Sequence, residues 1–149
     1  MLEIVTIILG PVATNCYLIA DSDRKEAAVI GPAWEGRVIQ AHALEHSWQI
    51  RQLWYTHAHF DHLGGAAELA AALRRPPRVA LHAADLPLWE KGGGGTRFGY
   101  SIDPGPLPGV DLDSVRSLQL GSWRFEVRPT PGHTPGSVVY YCVQAGVRN

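Results

Sequence analysis

The sequence predicts an α/β layered domain. Runs rich in Ile and Val are closed by Gly-Pro or Asp-rich turns, which marks short strands. Between later runs, apolar residues recur at helical spacing. Strands interleaved with helices bury one helix stripe against a sheet, so layers follow. The chain has 149 residues, 46% hydrophobic and 18% charged, which suits one domain (1–149) with a real core rather than a disordered chain.

The opening is β-rich. Leu2 to Leu9 reads as a strand and Gly10-Pro11 turns it. Cys16 to Ala20 reads as a second strand, closed by Asp21-Ser22-Asp23. Glu26 to Ile30 reads as a third, closed by Gly31-Pro32, and together they suggest a meander. A helix is expected from about Trp34 to Ser47, with Val38, Ala41, Leu44 and Trp48 as its apolar stripe. Arg51 to Tyr55 reads as a strand ending at Thr56. A second helix spans about Gly65 to Leu73 and is ended by Arg74-Arg75-Pro76-Pro77. Val79-Ala80-Leu81 reads as a short buried strand, and Ala83 to Lys91 as a short helix. Gly92 to Gly109, with four consecutive glycines and three prolines, reads as a loop. A loop of that length is either functional or a plain connector. Trp123 to Arg128 and Ser137 to Val143 read as strands.

Net charge is −1 with no long run of Lys or Arg, which argues against broad nucleic-acid binding. No basic leader precedes an apolar stretch, and no segment approaches the roughly 20 apolar residues that span a bilayer. A cytoplasmic protein without membrane contact is expected. Cys16 and Cys142 lie in strand-like runs and no C-x-x-C pair exists, so buried thiols in a reducing compartment are expected.

The chemistry concentrates in Thr56-His57-Ala58-His59-Phe60-Asp61-His62-Leu63-Gly64-Gly65, between a strand and a helix. Neutral imidazoles are good zinc ligands, and a carboxylate adds charge that holds a divalent ion. In an extended segment His57 and His59 leave the same face and can share one ion, and Asp61 continues that face. His62 points toward a second position. One loop thus offers ligands to two neighbouring metals, which suits a two-metal hydrolytic site. Gly64-Gly65 permits close backbone approach, and the helix that follows presents free N–H groups that favour an anion. Farther on, Thr130-Pro131-Gly132-His133-Thr134-Pro135-Gly136-Ser137 makes a stiff turn aiming one histidine. Thr134 can brace it by hydrogen bonding. His133 is then the natural third imidazole beside His57 and His59, leaving the open position of a catalytic zinc.

These two segments resemble the signatures of the metallo-β-lactamase-fold hydrolases, and within them the glyoxalase II (hydroxyacylglutathione hydrolase) group. The resemblance covers nearly the whole chain and implies a four-layer αββα sandwich with metals at one edge of the sheets. It implies that His57, His59 and His133 bind a first metal, and that Asp61 and His62 belong to a second. A metal-activated water then attacks a carbonyl carbon, with Asp61 as the catalytic carboxylate that orients the water or takes its proton. The implied cofactor is zinc, one or two ions, with iron or manganese as alternatives. The implied substrate is a small molecule, a thioester such as an acylated glutathione.

The chain departs from the family in two places. Relatives carry a bridging aspartate and a final histidine beyond the next strand, whereas here the last aspartate is Asp113 and no histidine follows His133. The sandwich is therefore expected to lack the C-terminal part of its second half, the chain stopping at Arg148-Asn149. An uncovered edge and a homo-oligomer that covers it follow as expectations. Relatives also carry aspartate where Gly31 stands. His42-Ala43-Leu44-Glu45-His46 matches a metallopeptidase pattern, but a solvated helix surface explains so short a match, and His82 reads as structural. A mononuclear-iron persulfide dioxygenase-like enzyme and a non-catalytic metal-binding remnant are the rival readings.

Overall fold

Side-chain alternation along the strands decides the architecture. In the computed structural model, which describes residues 1–143, β1 (Leu2–Leu9), β2 (Thr14–Asp21) and β3 (Glu26–Ile30) form an antiparallel meander. Helix α1 (Gly36–Glu45) returns the chain so that β4 (Gln49–Trp54) runs parallel to β3. Helix α2 (Ala66–Ala72) does the same for β5 (Arg78–Leu81). Helix α3 (Leu86–Glu90) and a 3-10 segment over Gly92–Phe98 lead to the short β6 (Val110–Asp111), also parallel. These six strands lie side by side in chain order. Strands β7 (Ser117–Leu120), β8 (Trp123–Pro129) and β9 (Val138–Val143) form a second, antiparallel sheet.

Neighbouring residues on a strand face opposite sides, and here both sides of the large sheet are apolar. Leu18, Val29, Leu53 and Val79 pack with Ile39, Leu63 and Leu69 beneath the helices. Ile19, Ala28, Trp54 and Ala80 pack with Leu118, Leu120, Phe125 and Val127 between the sheets. Trp54 meets Phe125 edge-on, with centroids 5.2 Å apart. The layers run helices, large sheet, small sheet, which are three layers of an αββα sandwich. Among the described residues no helix covers the outer face of the small sheet, where Val139, Tyr141, Arg124 and Arg128 are exposed.

Several local expectations are corrected. The buried stripe of α1 is Gly36, Ile39 and Ala43, whereas Val38 is 40% and Leu44 63% exposed, and Ala41 is exposed too. Close approach to α2 explains this. A Cβ on Gly36 would lie 2.2 Å from Leu69 N and 2.6 Å from Gly65 O, so the face with the smallest side chains turns inward. Residues 92–109 are not a plain loop. Gly92, Gly93 and Gly95 are buried in the 3-10 segment, with Gly93 and Gly94 left-handed. Strands β6 and β7 were not anticipated. The stretch ending at Arg148-Asn149 lies outside the described residues.

Candidate metal centre

Parallel strands present their carboxyl ends at one edge, the usual place for a ligand in such a sheet. The His57–His62 segment follows β4 at that edge. The small sheet is tied there: Val138 N–H donates to Thr56 O at 2.8 Å, and Tyr140 Oη–H to Tyr55 O at 2.6 Å. That seam carries the β8–β9 loop, and His133 with it, to the end of β4.

One ring nitrogen each of His57, His59 and His133 lies within 4.8 Å of the others, a grouping that could hold a metal ion. Thr56 Oγ1 is 2.9 Å from His57 Nδ1, which leaves Nε2 on the other side of the ring. That Nε2 is buried and has no hydrogen-bond partner among the described residues. His59 Nδ1 lies 3.0 Å from His133 Nε2. Burial pushes the pKa of His57 down to about 4, with the neighbouring His62, His59 and His133 acting in the same direction and Asp61 opposing. Burial also lowers His59, then His133 lowers it further. Two rings whose protonation is disfavoured, three ring nitrogens grouped together and one buried nitrogen without a partner among the described residues fit a divalent cation.

Asp61 and His62 sit beside this trio. The extended backbone ends at His59, and a 3-10 turn over Phe60–His62 follows. Contrary to the sequence expectation, Asp61 does not continue the face of His57 and His59 by strand alternation; the turn reorients it. Its Oδ2 accepts from Thr14 Oγ1 at 3.0 Å and lies 3.5 Å from His62 Nε2. The His62 ring is 4.2 Å from that of His57. Burial lowers the pKa of His62, and the Asp61 charge opposes that shift. A Cβ on Gly31 would lie 3.2 Å from His62 Nδ1, so the position that departs from the family abuts this ring.

The helix start is not the open anion site the sequence suggested. Gly65 and Ala66 N–H donate to Pro32 O and Leu63 O, and a Cβ on Gly105 would meet Ala67 N at 2.9 Å. The proline-rich loop covers that end. Gly64 and Gly65 approach Ala33 and Trp34 rather than a ligand. His46 stacks on Trp48 and its Nδ1 meets His42 O at 2.8 Å, a helix-end arrangement. His82 Nδ1 accepts from Ala84 N–H, which is structural.

Sequence reasoning missed Asp85. Its carboxylate is fully buried and joins both histidine loops. Oδ2 accepts from Ala58 N–H at 3.0 Å and from Thr134 Oγ1–H at 2.7 Å, and Oδ1 accepts from Gly136 N–H at 2.8 Å. A Cβ on Gly136 would lie 2.8 Å from Asp85 Cγ, so glycine is what lets the loop close. Thr134 braces its loop through Ser137 Oγ at 2.8 Å, as the sequence suggested. Thr14, which holds Asp61, was missed as well.

A cavity of about 650 Å³ opens beside the histidines. His59, Asp61 and His133 line it together with Phe60 and Phe98, whose rings stack 5.1 Å apart. Lys91 and Arg97 bring positive charge to its wall. The glycine turn sets this wall: a Cβ on Gly93 would lie 2.3 Å from Phe60 N.

The profile of the Metallo-beta-lactamase superfamily matches residues 9–147. The probable metallo-hydrolase YqgX of Bacillus subtilis (strain 168) is 31% identical over 143 residues, which cover 92% of this chain and 64% of that protein. A hydroxyacylglutathione hydrolase of Synechococcus sp. (strain JA-2-3B'a(2-13)) is 30% identical over 132 residues, covering 87% of this chain and 44% of that one. The crystal structure of TTHA1623 in a di-iron-bound form superposes with a TM-score of 0.77 at 33% identity, covering 92% of this chain and 66% of that one. The chain thus spans less than two thirds of the length of each of these relatives.

Proposed function

The chain belongs to the metallo-β-lactamase superfamily, and from that premise we propose that it is a metal-dependent hydrolase acting on a thioester of acyl-glutathione type. His57, His59 and His133 hold one ion in this reading, and Asp61 with His62 serve a second. The observation that carries it is the grouping of one ring nitrogen each of His57, His59 and His133 within 4.8 Å, in a trio where His57 Nε2 is buried and has no partner among the described residues. A bound divalent ion supplies Lewis acidity, making a water nucleophilic at neutral pH and polarising a carbonyl. Asp61, held by Thr14, orients that water or takes its proton. His57 and His59, whose protonation burial disfavours, offer lone pairs rather than positive charge.

The lining of the adjoining cavity supports that substrate class. Phe60 and Phe98 offer an apolar wall, and Lys91 and Arg97 suit a carboxylate-bearing carrier such as glutathione. The Synechococcus relative's name supports the same class. Zinc is the first metal to test. Iron is the second, because TTHA1623 was seen in a di-iron-bound form and imidazole serves both metals.

Turnover of a simple thioester by the purified chain, followed by thiol release, tests the reading. Activity is expected, and His57→Ala abolishes it. Metal bound without turnover of any thioester would leave a non-catalytic metal-binding protein. Iron with oxygen uptake on a persulfide would move the activity to a dioxygenase.

A further inference from the structure

We propose that Asp85 is a positioning residue that sets the distance between the His57–His59 loop and the His133 loop, and thereby the affinity and geometry of the metal site. The inference rests on the metal-binding reading above. Three observations carry it. Asp85 is fully buried, and none of its contacts is a cation within ion-pair distance among the described residues. A carboxylate in that position is costly unless hydrogen bonds satisfy it, and its donors are all drawn from the two histidine loops. Ala58 lies between His57 and His59, and Thr134 follows His133 directly, so each loop is gripped next to its histidines.

Asp85 is not itself part of the histidine group. It comes from the segment after β5, a parallel neighbour of β4, and so reaches the His57–His59 segment from the adjacent strand end. The β8–β9 loop belongs to the other sheet. One buried side chain therefore ties a loop of the large sheet to a loop of the small sheet, next to the histidines each loop carries. A metal site whose ligands come from separate loops loses affinity when those loops are free to move, because binding must then order them. The Asp85 bridge removes that cost before the ion arrives.

The test is zinc affinity measured by chelator competition on the full chain, beside the visible spectrum of the Co²⁺-loaded protein. Asp85→Asn keeps the size of the side chain but faces one N–H or hydroxyl donor with an NH₂ group. It is expected to weaken zinc binding roughly ten- to a hundredfold and to alter the Co²⁺ spectrum. Thr134→Val, which removes one donor, is expected to act in the same direction, while Thr134→Ser restores affinity. Leu118→Ala, in the core between the sheets, is the control for lost stability; it lowers the melting temperature and leaves zinc affinity unchanged. Should Asp85→Asn fail to fold, the Thr134 pair decides. In the metal-free parent, nuclear Overhauser contacts between the His59 and His133 rings, whose centroids are 4.6 Å apart, are expected to persist and to be lost in the Asp85 variant. Affinity within about twofold of the parent in Asp85→Asn and Thr134→Val, with an unchanged Co²⁺ spectrum, would reduce Asp85 to a fold-stabilising tie and overturn the proposal. A parent chain that binds neither Zn²⁺ nor Co²⁺ would overturn the metal-binding reading as well, and that result is read from the parent alone.

Discussion

A buried imidazole nitrogen without a partner is costly to bury, and His57 Nε2 is such an atom. Burial itself explains why a proton does not relieve it. Burial comes first and the surrounding histidines second in pushing its pKa from 6.5 down to about 4. The consequence is a pH dependence of stability in the metal-free chain. The unfolded chain binds a proton at His57 below its ordinary value, while the folded chain does so only near 4, so the unfolded state holds more protons in between. Stability is complete above that ordinary value and is lost as pH falls from about 6.5 toward about 4. His59 and His62 shift in the same direction and add to the loss. Thermal melts of chelator-treated protein are expected to show this fall, and a flat profile across that window would contradict it. Asp61→Asn, with metal retained, is expected to lower kcat by roughly 10²–10⁴-fold in the thioester assay. These histidines and Asp61 were legible because six consecutive positions of the sequence hold four potential ligands. Asp85 and Thr14 were not, because each is a common residue type in an ordinary segment, and only the fold brings it to the loops.

Helix α1 shows what periodicity misses. Val38, Ala41 and Leu44 repeat at helical spacing, yet the buried face is Gly36, Ile39 and Ala43. Both faces carry apolar residues, and contact with α2 chose the one that lets the backbones approach. Ile39→Ala is expected to cost about 2–4 kcal/mol, whereas Val38→Ala and Leu44→Ala stay within about 0.5 kcal/mol. Urea unfolding of the three variants checks the assignment, and a large loss at Leu44 would reverse it. Strands β1 and β3 occupy the residues that composition marked, since each runs uninterrupted between turn residues. Strands β6 and β7 are two and four residues long, too short for a periodic signal, and exist through pairing with β5 and β8. The glycine run was legible as irregular backbone, but its packing was not. Gly93→Ala is expected to destabilise by roughly 2–4 kcal/mol, from the left-handed backbone and the clash with Phe60 together. It should also weaken metal binding, because the segment it displaces carries His59. Calorimetry with and without zinc separates the two effects.

At the scale of the molecule, two sheets share one apolar layer, and the candidate metal centre sits where their strand ends meet. Nothing in a linear reading shows that seam; the β-branched composition of Val138–Val143 marks a strand, and only its pairing with β8 and its bond to Thr56 place it. The described helices lie on one side of the large sheet. On the other side, the outer face of the small sheet shows Val139 and Tyr141, and edge strand β1 shows Ile4 and Ile8. Unpaired edges and apolar faces favour association. We therefore propose homo-oligomerisation of this chain; sedimentation velocity is expected to show mass rising with concentration, and a monomer at all concentrations would contradict it. Among the described residues no helix is long and apolar enough to cross a membrane. The central claim is that His57, His59 and His133 act together on one ion, and metal content per chain tests it most directly. Elemental mass spectrometry of freshly purified protein is expected to find at least one tightly held ion per chain, with one fewer in His133→Ala. No metal in the parent, or the same content in the His133→Ala variant, would contradict the account.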